Sequence, residues 1–149
     1  MNVTIKYTKL NETAVLPEYA HDTDACFDIF ALEGGVLKPH RHVLVKTGLA
    51  YALPIDYEMQ VRPRSGNANK KMVTVLNTPG TIDQDYRGDL GVILINHSNN
   101  PFVWEAGQAI AQGAVKPVYR ANFVEVDNLD ETVRGEGGFG STDAPKENN

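Results

Sequence analysis

Short apolar runs alternate with turn residues along the whole chain. Turns are marked by Gly34-Gly35, Lys38-Pro39, Leu53-Pro54, Arg62-Pro63, Pro79-Gly80, Arg87-Gly88 and Asn99-Asn100-Pro101. Between them lie stretches rich in Val, Ile, Leu and Tyr, which favour extended backbone. The pattern predicts strands over residues 43–47, 57–61, 72–76, 90–96 and 122–126. Many short strands with closely spaced turns point to an all-β sandwich, jelly roll or barrel. Residues 90–95 are almost continuously apolar, as in a strand covered on both faces, the second face by another subunit. Only two segments admit a helix. Residues 65–71 suit one or two turns with Ser65 as N-cap. Residues 105–115 fit helix or strand, with Pro117 as the limit.

Composition narrows the function classes. A chain of 149 residues suits one compact domain. With 42% hydrophobic and 22% charged residues it has enough apolar side chains for a core. The formal net charge of −5 disfavours nucleic acid or an anionic membrane as partner, since both select basic surfaces. A small phosphorylated ligand remains compatible, because a few N–H groups and arginines hold it. Cys26 is the single cysteine, so an intrachain disulfide and a cysteine-based zinc site are excluded. The first ten residues carry no long apolar run, and a cytoplasmic protein is the expectation.

Four segments carry candidate chemistry. In Ala25-Cys26-Phe27-Asp28-Ile29-Phe30-Ala31 an acid interrupts an apolar strand pattern; alternation puts Asp28 and Phe30 on one face. Asp28 then serves a site or lies on a solvated face. Arg62-Pro63-Arg64-Ser65-Gly66 links a strand to a helix start, where free N–H groups attract anions and Arg64 could clamp a phosphate. It equally describes a charged surface turn. The segment from Asn77 to Asp89 reads as a long hairpin, with Asp83 and Asp85 on one side if the strand continues. One acid could be a general base and the other its partner, or both could be ordinary turn residues. In Gly107-Gln108-Ala109-Ile110-Ala111-Gln112, a glutamine among small apolar residues needs hydrogen-bond partners, from the fold or from a ligand. His21, His40, His42 and His97 fall outside these segments and read as surface or packing residues.

From Arg134 onward the sequence is rich in glycine and polar residues. By composition alone it reads better as a frayed terminus than as a phosphate-wrapping arm. Phe139 stands out there as a lone aromatic that suggests something to stack on.

Taken in order, the segments resemble the motifs of the trimeric dUTP pyrophosphatase family. Ala25-Cys26-Phe27-Asp28-Ile29-Phe30-Ala31 resembles the first motif and Pro63-Arg64-Ser65-Gly66 the second. Gly80-Thr81-Ile82-Asp83-Gln84-Asp85-Tyr86-Arg87-Gly88, with Asn77 ahead of it, resembles the third. Gly107-Gln108-Ala109-Ile110-Ala111-Gln112 is similar to the fourth, and Arg134-Gly135-Glu136-Gly137-Gly138-Phe139-Gly140-Ser141-Thr142 to the fifth. The resemblance turns the tail into an arm. It implies a distorted jelly-roll (β-clip) domain over residues 1–133 and a flexible glycine-rich arm over 134–149. It also implies a homotrimer with active sites at subunit interfaces, dUTP as substrate, and Mg²⁺ carried in on the triphosphate.

The roles implied by the resemblance are specific. Asp83 is the catalytic base for the attacking water, and Arg64 helps set the charge around the phosphates and Asp83. Ser65, Gly66 and the catalytic Gln112 hold phosphates. Asn77, with backbone groups of Gly80 and Ile82, reads the uracil edge. Tyr86 packs on the deoxyribose and excludes a 2′-hydroxyl. Phe139 stacks on uracil, while Arg134, Gly140, Ser141 and Thr142 enclose the terminal phosphates. Asp28 meets the metal through water only. A dCTP deaminase-like enzyme and a non-catalytic nucleotide-binding regulator are the alternatives on such a scaffold. Cys26, Asn67, Gln108 and Asp143 depart from the family pattern. Cys26 would be strained if its backbone required a positive φ.

Overall fold

A computed structural model describes residues 2–139. It divides into two units, Met1–Tyr119 and Arg120–Asn149. In the first unit the described chain forms eleven strands and one short helix: β1 (Lys6–Lys9), β2 (Phe27–Phe30), β3 (Gly35–Leu37), β4 (His42–Lys46), β5 (Leu49–Ala52), β6 (Tyr57–Arg62), α1 (Ser65–Lys71), β7 (Val73–Val75), β8 (Gly80–Ile82), β9 (Gly91–Asn96), β10 (Phe102–Trp104) and β11 (Ala109–Pro117). This is the all-β class, a distorted jelly roll. Its sheets are ordered β2-β11-β6-β8, β4-β9-β7, β1-β5 and β10-β3, with every pair antiparallel.

Period-two patterning explains which faces are buried. In β2, Phe27 and Ile29 point into the core while Asp28 and Phe30 face outward. In β6, Met59 and Val61 are inward. β9 alternates in the same way, with Val92, Leu94 and Asn96 buried and Ile93 and Ile95 only partly covered. Its apolar run is therefore covered fully on one face within the chain. Segment 105–115 resolves as turn and strand: β11 starts at Ala109, and Gln108 accepts the Glu105 amide (3.1 Å) to close the turn before it.

Three local expectations change. The N-cap of α1 is Arg64, in extended geometry (φ −87°, ψ 131°) and without a side-chain cap, so Ser65 is already inside the helix. The strand expected over 72–76 shortens to β7 because Met72 adopts a left-handed C-cap (φ 53°). Residues 122–126 form no strand; they belong to the second unit, where Phe123, Val124 and Val126 are exposed. Extended propensity cannot make a strand without a paired neighbour.

Asn96 knits the β9 end to its surroundings. Fully buried, it donates to Leu37 O (3.1 Å) and Asn100 O (2.8 Å), and accepts from the Ser98 amide and hydroxyl (2.8 Å each). Removing it orphans the buried Leu37 carbonyl and unties the part-buried Ser98–Asn100 turn. Asn96→Ala is expected to destabilise the fold by about 2–3 kcal/mol, checked as a fall in the unfolding midpoint at fixed protein concentration.

Candidate active site

Three neighbouring strands of one sheet, β2, β11 and β6, bring three of the four segments together. Gln112 lies opposite Asp28 on one side and Arg62 on the other, so these side chains form a row on one face. Just past the end of β6, Arg64 turns back onto that row. Its Nε and Nη2 meet the two Asp28 carboxylate oxygens at 3.2 and 3.3 Å, and its Nη1 donates to Ala109 O at 3.0 Å. Gln112 Nε2 donates to Pro63 O at 2.8 Å, tying β11 to the start of the α1 turn.

These residues open onto a cavity of about 570 Å³ lined by Asp28, Arg64, Ser65, Gly66, Asn67 and Gln112, with His21 and Asp24 at its rim. The first intrahelical bond of α1 runs from the Ala68 amide to Arg64 O (3.0 Å). The amides of Ser65, Gly66 and Asn67 thus precede the helix's own acceptors. A Cβ placed on Gly66 would meet nothing within 4 Å, which leaves its backbone open to a ligand. Hydroxyl, amides and a neutralised Arg–Asp pair make this end of the sheet suited to an anion.

The two prongs with which Arg64 could clamp a phosphate are both occupied here. The fork is engaged by Asp28 and Ala109, so Arg64 supplies fixed charge and shape to the cavity wall. His21, read from sequence as a surface residue, belongs to the rim, where its ring Nδ1 and backbone amide both meet Asp24 Oδ2 (3.2 and 3.0 Å). Asp24 was missed as well; its position four residues before Asp28 is the signal that could have found it. Cys26 has no positive φ, so its backbone accepts a side chain.

The third segment is built differently. Its flanking strands β7 and β9 pair as a long hairpin would, but its middle strand β8 leaves them to pair with β6. Gly80 sits opposite Val61, and a Cβ there would press on Asn77 Nδ2 (3.3 Å) and Val61 (3.4 Å). The absent side chain lets Asn77 pack against the strand. β8 ends at Ile82, and Asp83–Tyr86 is a turn closed by the Tyr86 amide on Asp83 O (3.2 Å). Strand alternation therefore does not govern Asp83 and Asp85, contrary to the sequence expectation. Asp83 and Tyr86 are exposed.

The turn is braced from several sides. Arg87 Nη1 donates to Gln84 O (2.8 Å), Tyr86 O (2.9 Å) and Tyr51 O (3.4 Å). Gln84 Oε1 accepts the Asp56 amide (2.9 Å). Tyr86 Oη donates to Asp89 O (3.0 Å), and the Asp89 carboxylate accepts from the Gly48 amide (2.9 Å) and Thr47 Oγ1 (3.5 Å). Burial, and then the Asp89 charge, push the Tyr51 phenol well above its ordinary value, so it stays neutral.

The register separates the two halves. Gln112 is opposite Arg62, whereas Ile82 is opposite Met59, so Asp83 lies beyond the far side of Met59. At about 3.3 Å per residue along a strand and about 4.8 Å between strands, Gln112 and Asp83 of one chain are about 15 Å apart. The anion cavity and the Asp83 turn do not converge within a chain. In the second unit, Arg134 Nε donates to Gly137 O (2.8 Å), and the Gly135 amide meets Thr132 Oγ1 and O (3.1 Å each). Phe139 is fully exposed with φ 48°. Gly140, Ser141 and Thr142 lie outside the described residues, as does Asp143.

Known proteins share this sequence and fold. The family model described as dUTPase matches residues 12–143. Deoxyuridine 5'-triphosphate nucleotidohydrolase of Clostridium tetani is 52% identical over 139 residues, covering 93% of this chain and 96% of its own. The protein of the same name from Helicobacter pylori is 49% identical over 142 residues, covering 95% and 98%. The Staphylococcus bacteriophage 80alpha dUTPase, solved with dUPNHPP, superposes with a TM-score of 0.85 at 29% identity, over 93% of this chain and 98% of its own. A variant dUTPase of phage phi11 of S. aureus, whose structure reveals the coordination of a structural Mg(II) ion, gives a TM-score of 0.78 at 25% identity, over 86% and 99%.

If the cavity is an anion site walled by Arg64, then Arg64→Ala should weaken binding of inorganic triphosphate about tenfold or more, measured by titration calorimetry. Folding stability should change far less, since the Arg64–Asp28 pair is partly exposed.

Proposed function

This chain belongs to the dUTPase family, and from that premise we propose that it hydrolyses dUTP to dUMP and pyrophosphate, with Asp83 activating the attacking water. The observation that carries the reading is the cavity of Asp28, Arg64, Ser65, Gly66 and Gln112, an anion site formed from three of the family's motifs.

Each part of the substrate has a matching element. Ser65, the amides at Gly66 and Asn67, and Gln112 hold phosphate oxygens. Gln112 keeps its carbonyl oxygen and one amide hydrogen after donating to Pro63 O. Asn77 and the backbone of Gly80 and Ile82 read the uracil edge, and hydrogen-bond polarity separates uracil from cytosine. The Tyr86 ring lies against the deoxyribose and leaves no room for a 2′-hydroxyl. Phe139 stacks on the base, and Arg134, Gly140, Ser141 and Thr142 close over the terminal phosphates. Closure excludes water and strengthens every charge interaction inside.

Water is a poor nucleophile, and a carboxylate beside the α-phosphorus takes its proton as the new P–O bond forms. Asp83 has this role. The turn that carries it is braced by Arg87, Gln84 and Tyr86, which holds the backbone beneath the carboxylate in place. The leaving group is pyrophosphate, whose charge falls in the Ser65–Gln112 cavity.

Among the described residues, no three His, Cys, Asp or Glu side chains form a cage that could hold a metal ion. The donor set fits Mg²⁺ that keeps its waters and arrives on the triphosphate, with Asp28 as an acceptor for those waters. When bound, Mg²⁺ spreads the phosphate charge as pyrophosphate departs.

A single chain cannot place its own Asp83 beside its own cavity, about 15 Å away by the strand register. A complete site therefore takes Asp83 from another copy, which the proposed homotrimer supplies. Exposed apolar residues fit burial between copies: Val36 and Val103, directly paired across β3 and β10, are each 59% exposed, and Leu44 on β4 is 57% exposed. No helix among the described residues is long and apolar enough to cross a membrane. The reading places the enzyme with its nucleotide pool in the cytoplasm, with neither nucleic acid nor membrane as partner.

Pyrophosphate release from dUTP, dCTP, dTTP and UTP, compared side by side, tests the assignment: dUTP should be cleaved with strong preference. Ammonia release from dCTP, or binding without turnover, would contradict it. Asp83→Asn should lower kcat by about 10²–10⁴ while dUTP affinity stays within about an order of magnitude. Wild-type turnover in that variant would remove Asp83 from the mechanism.

A further inference from the structure

We propose that Gly88 determines the rejection of ribonucleotides, by leaving the space in which the Tyr86 phenol lies. This rests on the reading of Tyr86 as the wall beside the sugar, and adds the residue that sets where the wall stands.

A Cβ built on Gly88 would sit 2.4 Å from Tyr86 Oη, 2.6 Å from Cζ and 3.0 Å from Cε2. Ordinary contact begins about 1 Å further out. No residue with a side chain at position 88 tolerates the ring in its present position. The glycine is not there for backbone freedom: the described glycines with positive φ are Gly48, Gly107 and Gly135. Its function is clearance.

The rest of the loop offers no compensating movement. The Tyr86 amide and carbonyl are bound to Asp83 O and Arg87 Nη1. Its hydroxyl is bound to Asp89 O, and the Asp89 carboxylate is anchored on Gly48 and Thr47. What yields to an added methyl group is the far end of the Tyr86 side chain, half-exposed and therefore free to swing. The ring then leaves Asp89 O and moves by about 1 Å or more, comparable with the extra reach of a hydroxyl over a hydrogen. Gly88, Asp89 and Arg87 are thus positioning residues that act through Tyr86.

The test compares kcat/KM for dUTP, UTP and dCTP in the full-length protein and in Gly88→Ala, Tyr86→Phe and Tyr86→Ala. Gly88→Ala should lower the dUTP-over-UTP preference about tenfold or more, while the dUTP-over-dCTP preference, set by Asn77 and the β8 backbone, holds within about threefold. General loosening of the loop would erode both preferences together and overturn the proposal. Tyr86→Phe keeps the ring but loses the bond to Asp89 O, so it should lower the same preference by a smaller factor. If Gly88→Ala alone does not fold, Gly88→Ala combined with Tyr86→Ala, which lacks the clashing ring, should fold; a double variant that stays unfolded overturns the clearance role. An unchanged preference in a folded Gly88→Ala, with the preference lost in Tyr86→Ala, overturns the role of Gly88 and leaves the wall standing. An unchanged preference in Tyr86→Ala overturns both, without touching dUTP hydrolysis itself.

Discussion

The pairing of β6 with β11 on one side and β8 on the other governs everything the site can do. That register puts Gln112 beside Arg62 and Asp28 at one end of the sheet, and carries Asp83 out past Met59 at the other. A one-residue slip would turn the inward Met59 and Val61 to solvent, so the core locks the register. The same core therefore fixes the separation of the two half-sites. On the proposed reading, that separation makes assembly a chemical requirement for turnover.

The two halves are stabilised by different means. The anion end uses a charge pair and few side chains, with Arg64 spread between a carboxylate and a carbonyl. Its amides and the Ser65 hydroxyl face the cavity region rather than intrahelical partners. The Asp83 end uses backbone carbonyls as anchors, gathered by one Arg87 nitrogen. On the proposed reading, rigid placement matters more for the residue that moves a proton than for residues that hold a large anion. An acidic protein with net charge −5 can bind a polyanion on these terms, because the relevant field is local.

Much of the fold was legible in the sequence. Turn residues and alternation located β4, β6, β9 and β7, the last drawn one residue too long at each end, and the candidate acids and arginines were visible as interruptions of apolar runs. What failed had tertiary causes. Residues 122–126 have strand composition but no paired neighbour in the described structure. Asp83 and Asp85 looked like strand partners, but β8 stops at Ile82 and a turn follows. No sequence pattern reveals that Asp28 and Ala109 O lie within reach of Arg64. The bracing by Arg87, Gln84 and Asp89 links positions far apart in the chain, and His21 and Asp24 reach the cavity rim only after folding.

The most direct test of the split site is complementation. Asp83→Asn and the double variant Arg64→Ala/Gln112→Ala each disable a different half. Unfolded together and reassembled, they should form mixed trimers in which an intact cavity meets an intact Asp83 at about one quarter of the sites, and activity should return to about that fraction of wild type. A mixture that stays as inactive as either variant alone would show that both halves act within one chain, and would contradict the account.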